Sequence, residues 1–163
     1  MARRAMSWVL LLFTMALVGC DHATKAVAQA ALERRAPLSI VPGLLDLRYA
    51  ENRDMAFSLL RSIHSPAKVA VLFVLSMFVL GVMLLGWWRS RHASAAEQAG
   101  YALIVAGAIG NAIDRAARGY VIDFIHLHRW PIFNVADIAI AAGGVLLGIV
   151  MIRRAREEAR EAS

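Results

Sequence analysis

Residues 67–88 read AKVAVLFVLSMFVLGVMLLGWW and hold no charged side chain after Lys68. At about 1.5 Å per helical residue, a run of this length crosses a hydrocarbon core roughly 30 Å thick. Trp87 and Trp88, followed by Arg89 and Arg91, mark the expected exit into the interface. A chain containing such a run folds around it in a bilayer or hides it in a large core. With 163 residues, 60% of them hydrophobic, the chain exceeds the roughly 45–50% apolar usage of soluble domains. A membrane fold is therefore expected.

Three more apolar stretches complete the pattern, at about 7–25, 97–115 and 133–152. The expected architecture is a mainly α membrane protein with four transmembrane helices, forming a single domain over 1–163. Gly100, Ala106, Gly107, Ala108 and Gly110 in the third stretch allow close helix packing. The tail RRAREEAREAS reads as a charged helical extension into solvent. The net charge of +6 does not imply a nucleic-acid partner, because the basic residues mostly flank apolar runs and suit membrane anchoring.

The first apolar stretch, behind Arg3 and Arg4, also resembles a secretory signal peptide, and LVGC at 17–20 resembles a lipobox. Two readings follow. Either Cys20 becomes the N-terminus of a lipoprotein, or the segment is retained as the first transmembrane helix. Retention fits better, since the later spans demand a membrane protein in any case. Asp21 and Lys25 then share a helix face and can pair, or Lys25 snorkels while Asp21 is solvated.

Residues 27–66 form the one sizeable loop, broken by Pro37, Pro42 and Gly43. LLDLRYA at 44–50 alternates as a strand does, and 58–64 suits a short helix, so a small sheet-like platform on the membrane surface is expected. Asn52 is either polar decoration or a clamp for a peptide backbone, since an amide both donates and accepts. Both termini fall on one side, and the charges after the second and fourth spans favour the cytoplasm for it. The 27–66 and 114–133 loops then share the outer face with Asp21, Asn52, Arg115, Asp123 and Asp137.

The stretch GNAIDRAARGYVIDFIHLHRWPIFNVAD at 110–137 carries most of the polar groups. An acid at membrane depth costs roughly 2.5–3.5 kcal/mol on insertion scales, so such groups usually pair or do chemistry. Asn134 and Asp137 share one helix face, as do Asn111 and Arg115. Arg115 can hold a carbonyl-rich or anionic group, or simply bridge to Asp114. Asp123 and Asp137 read as a catalytic pair. Two carboxylates sharing a proton can hydrolyse an amide: the ionised one takes a proton from the attacking water and the protonated one donates to the carbonyl oxygen. Against this, each acid taken singly also suits a helix end or loop residue meeting headgroups. Cys20 is the only cysteine, and no Cys and His cluster has metal-ligand spacing. His126 and His128 read as interfacial polar residues beside Arg129 and Trp130. No metal and no cofactor are expected.

DHATK at 21–25, ENRDMAFS at 51–58, GNAIDRAARGYVIDFI at 110–125 and FNVADIAI at 133–140 together resemble the lipoprotein signal peptidase family, bacterial signal peptidase II. The resemblance implies four transmembrane helices with a periplasmic β-cradle at about 37–64 and a short surface helix. It implies catalytic Asp123 and Asp137, with Asp21, Lys25, Asn52, Asn111, Asp114, Arg115 and Asn134 in support. The implied substrate is a diacylglyceryl-modified prolipoprotein, cleaved just before its lipidated Cys, and globomycin-type peptides would inhibit. The implied setting is the bacterial inner membrane, with phospholipid as surroundings, both termini cytoplasmic and a monomeric state. Two departures stand out: Asp54 replaces a common family Gly, and the loop between Asp123 and Asp137 is short for the family. Two other classes compete. A proton-coupled transporter would place its relay acids at different depths, whereas these cluster at one surface. A lipoprotein scaffold would need a lipidated N-terminal Cys20.

Overall fold

The computed structural model describes residues 2–53, 66–90 and 93–161. Four long helices dominate: α1 (Ala2–Leu32), α2 (Pro66–Arg89), α3 (Ala95–Arg118) and α4 (Val135–Glu161). Three strands, β1 (Leu38–Val41), β2 (Leu45–Asn52) and β3 (Val121–Leu127), form one antiparallel sheet in the order β1-β2-β3. The expected short helix at 58–64, with Asp54 and Phe57, lies outside the described residues.

The helix ends follow from local sequence. Pro66 opens α2 at a position where its missing N–H costs nothing. Ser94 caps α3, its hydroxyl accepting from the Glu97 N–H at 3.2 Å. Gly119 ends α3 in the left-handed region at φ 78°, and its N–H donates to the Arg115 carbonyl. Val41-Pro42-Gly43-Leu44 makes the β1–β2 turn, closed by the Leu44 N–H on the Val41 carbonyl at 3.0 Å with Gly43 at φ 74°.

α3 packs on all three other helices. Its small residues allow this: a Cβ at Gly107 would collide with the Ala136 carbonyl of α4, and one at Gly143 would stand 2.7 Å from the Gly100 carbonyl. Glu97 in α3 and Arg154 in α4 are joined by a 3.1 Å ion pair. The sheet docks on the end of α1, where Ala28 and Leu32 bury against Phe124, with Leu47, Tyr49, Ile125 and Val135 around them.

The bundle inverts the usual arrangement. Trp8, Val74, Phe78 and Val145 are each more than 60% exposed, while Asp21, Lys25, Asp114, Asp123 and Asn134 are at most 3% exposed. Exposed apolar area on this scale marks a surface made for something other than water. Trp8–Leu32 and Val135–Glu161 are long and apolar enough to cross a membrane, and Phe73–Arg89 is a shorter apolar stretch.

One expectation is corrected. The sequence predicts a loop over 114–133, but α3 continues to Arg118 and β3 follows almost at once. VIDFIHL is strand-like, and pairing with β2 supplies its hydrogen bonds. Asp123 is thus a strand residue, held in register opposite Ala50.

Candidate active site

After β3 the chain turns sharply. Arg129 adopts φ 72°, the Trp130 N–H donates to the Leu127 carbonyl, and Phe133 exchanges hydrogen bonds with Ile125 at 2.9 and 3.0 Å. The return brings Asn134 beside β3 just as it caps α4. Its side-chain oxygen accepts from the Asp137 N–H at 3.0 Å, and the Asp137 carboxylate accepts from the Asn134 N–H at 3.2 Å. This reciprocal cap, of capping-box type, fixes Asp137 on the first turn of α4.

The same Asn134 reaches the strand. Its Nδ2 donates to Asp123 Oδ1 at 2.7 Å and to Asn111 Oδ1 at 3.1 Å. Asp123 Oδ2 accepts from Asn52 Nδ2 at 2.9 Å, and Asp137 Oδ1 accepts from Asn111 Nδ2 at 2.9 Å. Three amides therefore orient two carboxylates. Asn52 is more than surface decoration, since it ties the end of β2 to Asp123.

Behind the amides lies a buried charge cluster. The fully buried Lys25 ammonium directs its three donors to Asp21 Oδ2 at 2.7 Å, Asp114 Oδ2 at 2.9 Å and Asn111 Oδ1 at 3.0 Å. Asp21 Oδ1 accepts from the Ala136 N–H at 2.9 Å, which anchors α4 to α1. The snorkelling alternative for Lys25 is excluded by this burial. Asp114 also pairs with Arg118 and accepts from the Ile122 N–H at 3.4 Å. Burial of an ion pair is favourable only when the remaining donors and acceptors are satisfied, and here the ammonium has a partner for each proton.

Sequence reasoning left Arg115 either bridging to Asp114 or facing a ligand. The structure gives Asp114 to Lys25 and Arg118, while Arg115 lines a cleft with Asp123 and Asp137. Arg118 was missed, although its spacing of four from Asp114 was a readable signal. The cleft encloses about 760 Å³. Asn52, Asn111, Arg115 and the two acids form its polar part, and Val79, Trp130, Ile132, Phe133, Ile138 and Val145 its apolar walls.

The Asp123 carboxyl is pushed up to about 7 by burial, with the nearby Asp137 charge adding to the rise and the Asn52 and Asn134 hydrogen bonds opposing it. A carboxyl that holds its proton near neutrality can act as a general acid.

A second polar group gathers on the sheet. Asp46 Oδ2 lies 2.8 Å from His128 Nε2 and 3.9 Å from His126 Nδ1. The two His residues share a face of β3 and its extension, but Asp46 is distant in sequence, so only the strand register unites them.

In its fold the chain is similar to bacterial membrane enzymes. Two such solved structures superpose with TM-scores of 0.74 and 0.72, each at 25% identity. The first covers 88% of this chain and 92% of its own, the second 89% and 88%. Among curated relatives, the lipoprotein signal peptidase of Syntrophomonas wolfei is 40% identical over 142 residues, covering 87% of this chain and 91% of that protein. The lipoprotein signal peptidase of Geobacter sulfurreducens is 36% identical over 143 residues, covering 85% and 88%. The family model for signal peptidase (SPase) II matches residues 13–153. The chain belongs to the signal peptidase II family and is a peptidase.

Proposed function

We propose that this peptidase removes the signal peptide from diacylglyceryl-modified prolipoproteins, cutting just before the lipidated Cys, with Asp123 and Asp137 as its catalytic pair. The observation that carries the reading is the convergence of both carboxylates on one cleft that is polar at the acids and apolar beyond them. The polar part suits an extended peptide and a water molecule. The apolar walls suit acyl chains and the hydrophobic part of a signal sequence.

In the proposed reaction Asp137 is ionised and takes a proton from water as the oxygen attacks the scissile carbonyl. Asp123, which keeps its proton near neutrality, donates to the carbonyl oxygen. Collapse of the tetrahedral intermediate breaks the C–N bond as Asp137 passes its proton to the leaving amine of the Cys and Asp123 takes its own back from the hydroxyl that becomes the product carbonyl. Arg115, lining the same cleft, stabilises the negative charge that builds on the oxygen before the proton from Asp123 has fully transferred. Asn52, Asn111 and Asn134 position the acids. Asp21, Lys25 and Asp114 hold α1, α3 and α4 together behind them.

All four helices cross the bacterial inner membrane in this reading, in one domain spanning 1–163, with both termini cytoplasmic and the sheet on the periplasmic side. The apolar outer faces of the helices support it, and phospholipid is the surrounding partner of a monomer. Burial of Leu10 and Thr14, upstream of Cys20, supports retention of α1 in this reading. Sensitivity to globomycin-type peptides, which the family resemblance implies, belongs to the same reading.

The test is mass analysis of a diacylglyceryl-modified prolipoprotein after incubation with the purified enzyme. Release of an intact signal peptide ending just before the lipidated Cys is expected. Cleavage only of the unlipidated precursor, or at another bond, contradicts the assignment.

A further inference from the structure

We propose that Asp46, His126 and His128 form a binding site for one divalent transition-metal cation of the zinc class. The site stands on the sheet face opposite the one that carries Asp123 and Leu127 to the cleft, since successive strand residues point to alternate faces.

The register places Asp46 on β2 directly opposite His126 on β3, and His128 follows two residues later on the same face. The donor atoms of all three residues lie within 4.8 Å of one another. Metal–ligand bonds of about 2.0–2.2 Å in a tetrahedron need donors a little over 3 Å apart. The two distances to Asp46 Oδ2, 2.8 and 3.9 Å, bracket that spacing, and rotation of the rings closes the remainder.

The hydrogen bond between His128 and Asp46 accounts for only two of the three side chains. His126 Nδ1 is buried and has no hydrogen-bond partner among the described residues, although it points towards the Asp46 carboxylate. A lone nitrogen pair with no donor facing it is what a cation requires. Ser39 stands directly opposite Asp46 on β1.

Two imidazoles and one carboxylate, with a fourth position open to water, favour zinc, cobalt, nickel or copper over magnesium or calcium, which prefer all-oxygen sets. The cation ties β2 to the turn after β3. That turn carries Trp130 and Ile132 to the cleft wall, so the metal stiffens one side of the cleft.

The experiment uses the full chain, without a polyhistidine tag, in detergent or a lipid nanodisc. Zn²⁺ is titrated by calorimetry, and histidine ring nitrogens are followed by NMR. Saturable binding of one Zn²⁺ per chain is expected, moving the His126 and His128 resonances but not His22, with no response to Mg²⁺ or Ca²⁺. Loss of a ligand in His128→Gln or Asp46→Asn should weaken binding by at least the about 10–100-fold that loss of a supporting partner costs. His128 is half-exposed, so its variant keeps the fold, which melting without metal verifies. Equal affinity in the His126→Gln/His128→Gln double variant, or no heat and no resonance shift at about millimolar Zn²⁺, overturns the proposal.

Discussion

Asn134 Nδ2 stands 2.7 Å from Asp123 Oδ1, while the backbone N–H of the same Asn134 donates to Asp137 Oδ2 at 3.2 Å. One residue thus holds both acids, and it does so because it is also the N-cap of α4. Capping and site geometry can be separated by substitution. Asn134→Ser keeps a good cap, so its melting temperature should fall only by what the lost buried hydrogen bonds to Asp123 and Asn111 cost, about 1–3 kcal/mol. The lost bond to Asp123 should lower the cleavage rate by about a hundredfold, the scale of a misplacement near 1 Å. Equal rates in wild type and Asn134→Ser would show that the bridge does not position the acids.

Lys25 satisfies Asp21 and Asp114 at once. Lys25→Met fills similar volume but leaves the buried Asp21 carboxylate without its cation and Asp114 with Arg118 alone, a loss of about 3–5 kcal/mol. Thermal unfolding in detergent should show a large drop. Asp114→Asn should do less damage, since the ammonium keeps Asp21 and Asn111 Oδ1.

Gly110 owes its place to the same ion pair. A Cβ there would stand 2.6 Å from Asp21 Oδ2. Gly110→Ala should displace Asp21 and cost about 1–3 kcal/mol, the usual range for overpacking. Gly144, whose added Cβ would meet nothing within 4 Å, is the control, and Gly144→Ala should unfold as wild type does.

The raised Asp123 carboxyl has two consequences for pH. As general acid it must be protonated, so the cleavage rate should fall about tenfold per unit as pH rises beyond about 7. For stability, the folded form holds this proton up to about 7, whereas an unfolded Asp releases it near the ordinary value of 3.8. The contribution is fully present below that lower value and is lost as pH rises to the upper one, with a slope of about 1.4 kcal/mol per pH unit. Wild type should therefore lose stability relative to Asp123→Asn between about pH 4 and 7, then run parallel to it. A constant difference across that window would place the carboxyl at its ordinary value.

Much of the architecture was readable because long apolar helices announce themselves by length and composition. The run at 67–88 became α2, and Pro42-Gly43 with LLDLRYA became the β1–β2 hairpin. β3 was missed because its partner strand is some seventy residues earlier, and pairing over such a distance leaves no mark in a local window. The candidate acids stood out as polar groups in apolar surroundings. Their wiring did not. That Asn134 serves both carboxylates, that Lys25 is buried rather than snorkelling, and that Arg115 faces the cleft while Arg118 takes Asp114 all depend on side-chain directions. The approach of Asp46 to His126 and His128 was invisible for the same reason as β3.

The central claim is that Asp123 and Asp137 act as a pair. Its most direct test compares wild type, Asp123→Asn and Asp137→Asn on one diacylglyceryl-modified prolipoprotein at pH 6, each first shown to be folded by its melting profile. Asn preserves the shape of the carboxylate but cannot carry the proton. The account predicts cleavage by wild type and a loss of at least about a hundredfold in each variant, since removal of either acid or base function costs about 10²–10⁴-fold. Either variant cleaving at the wild-type rate would contradict it.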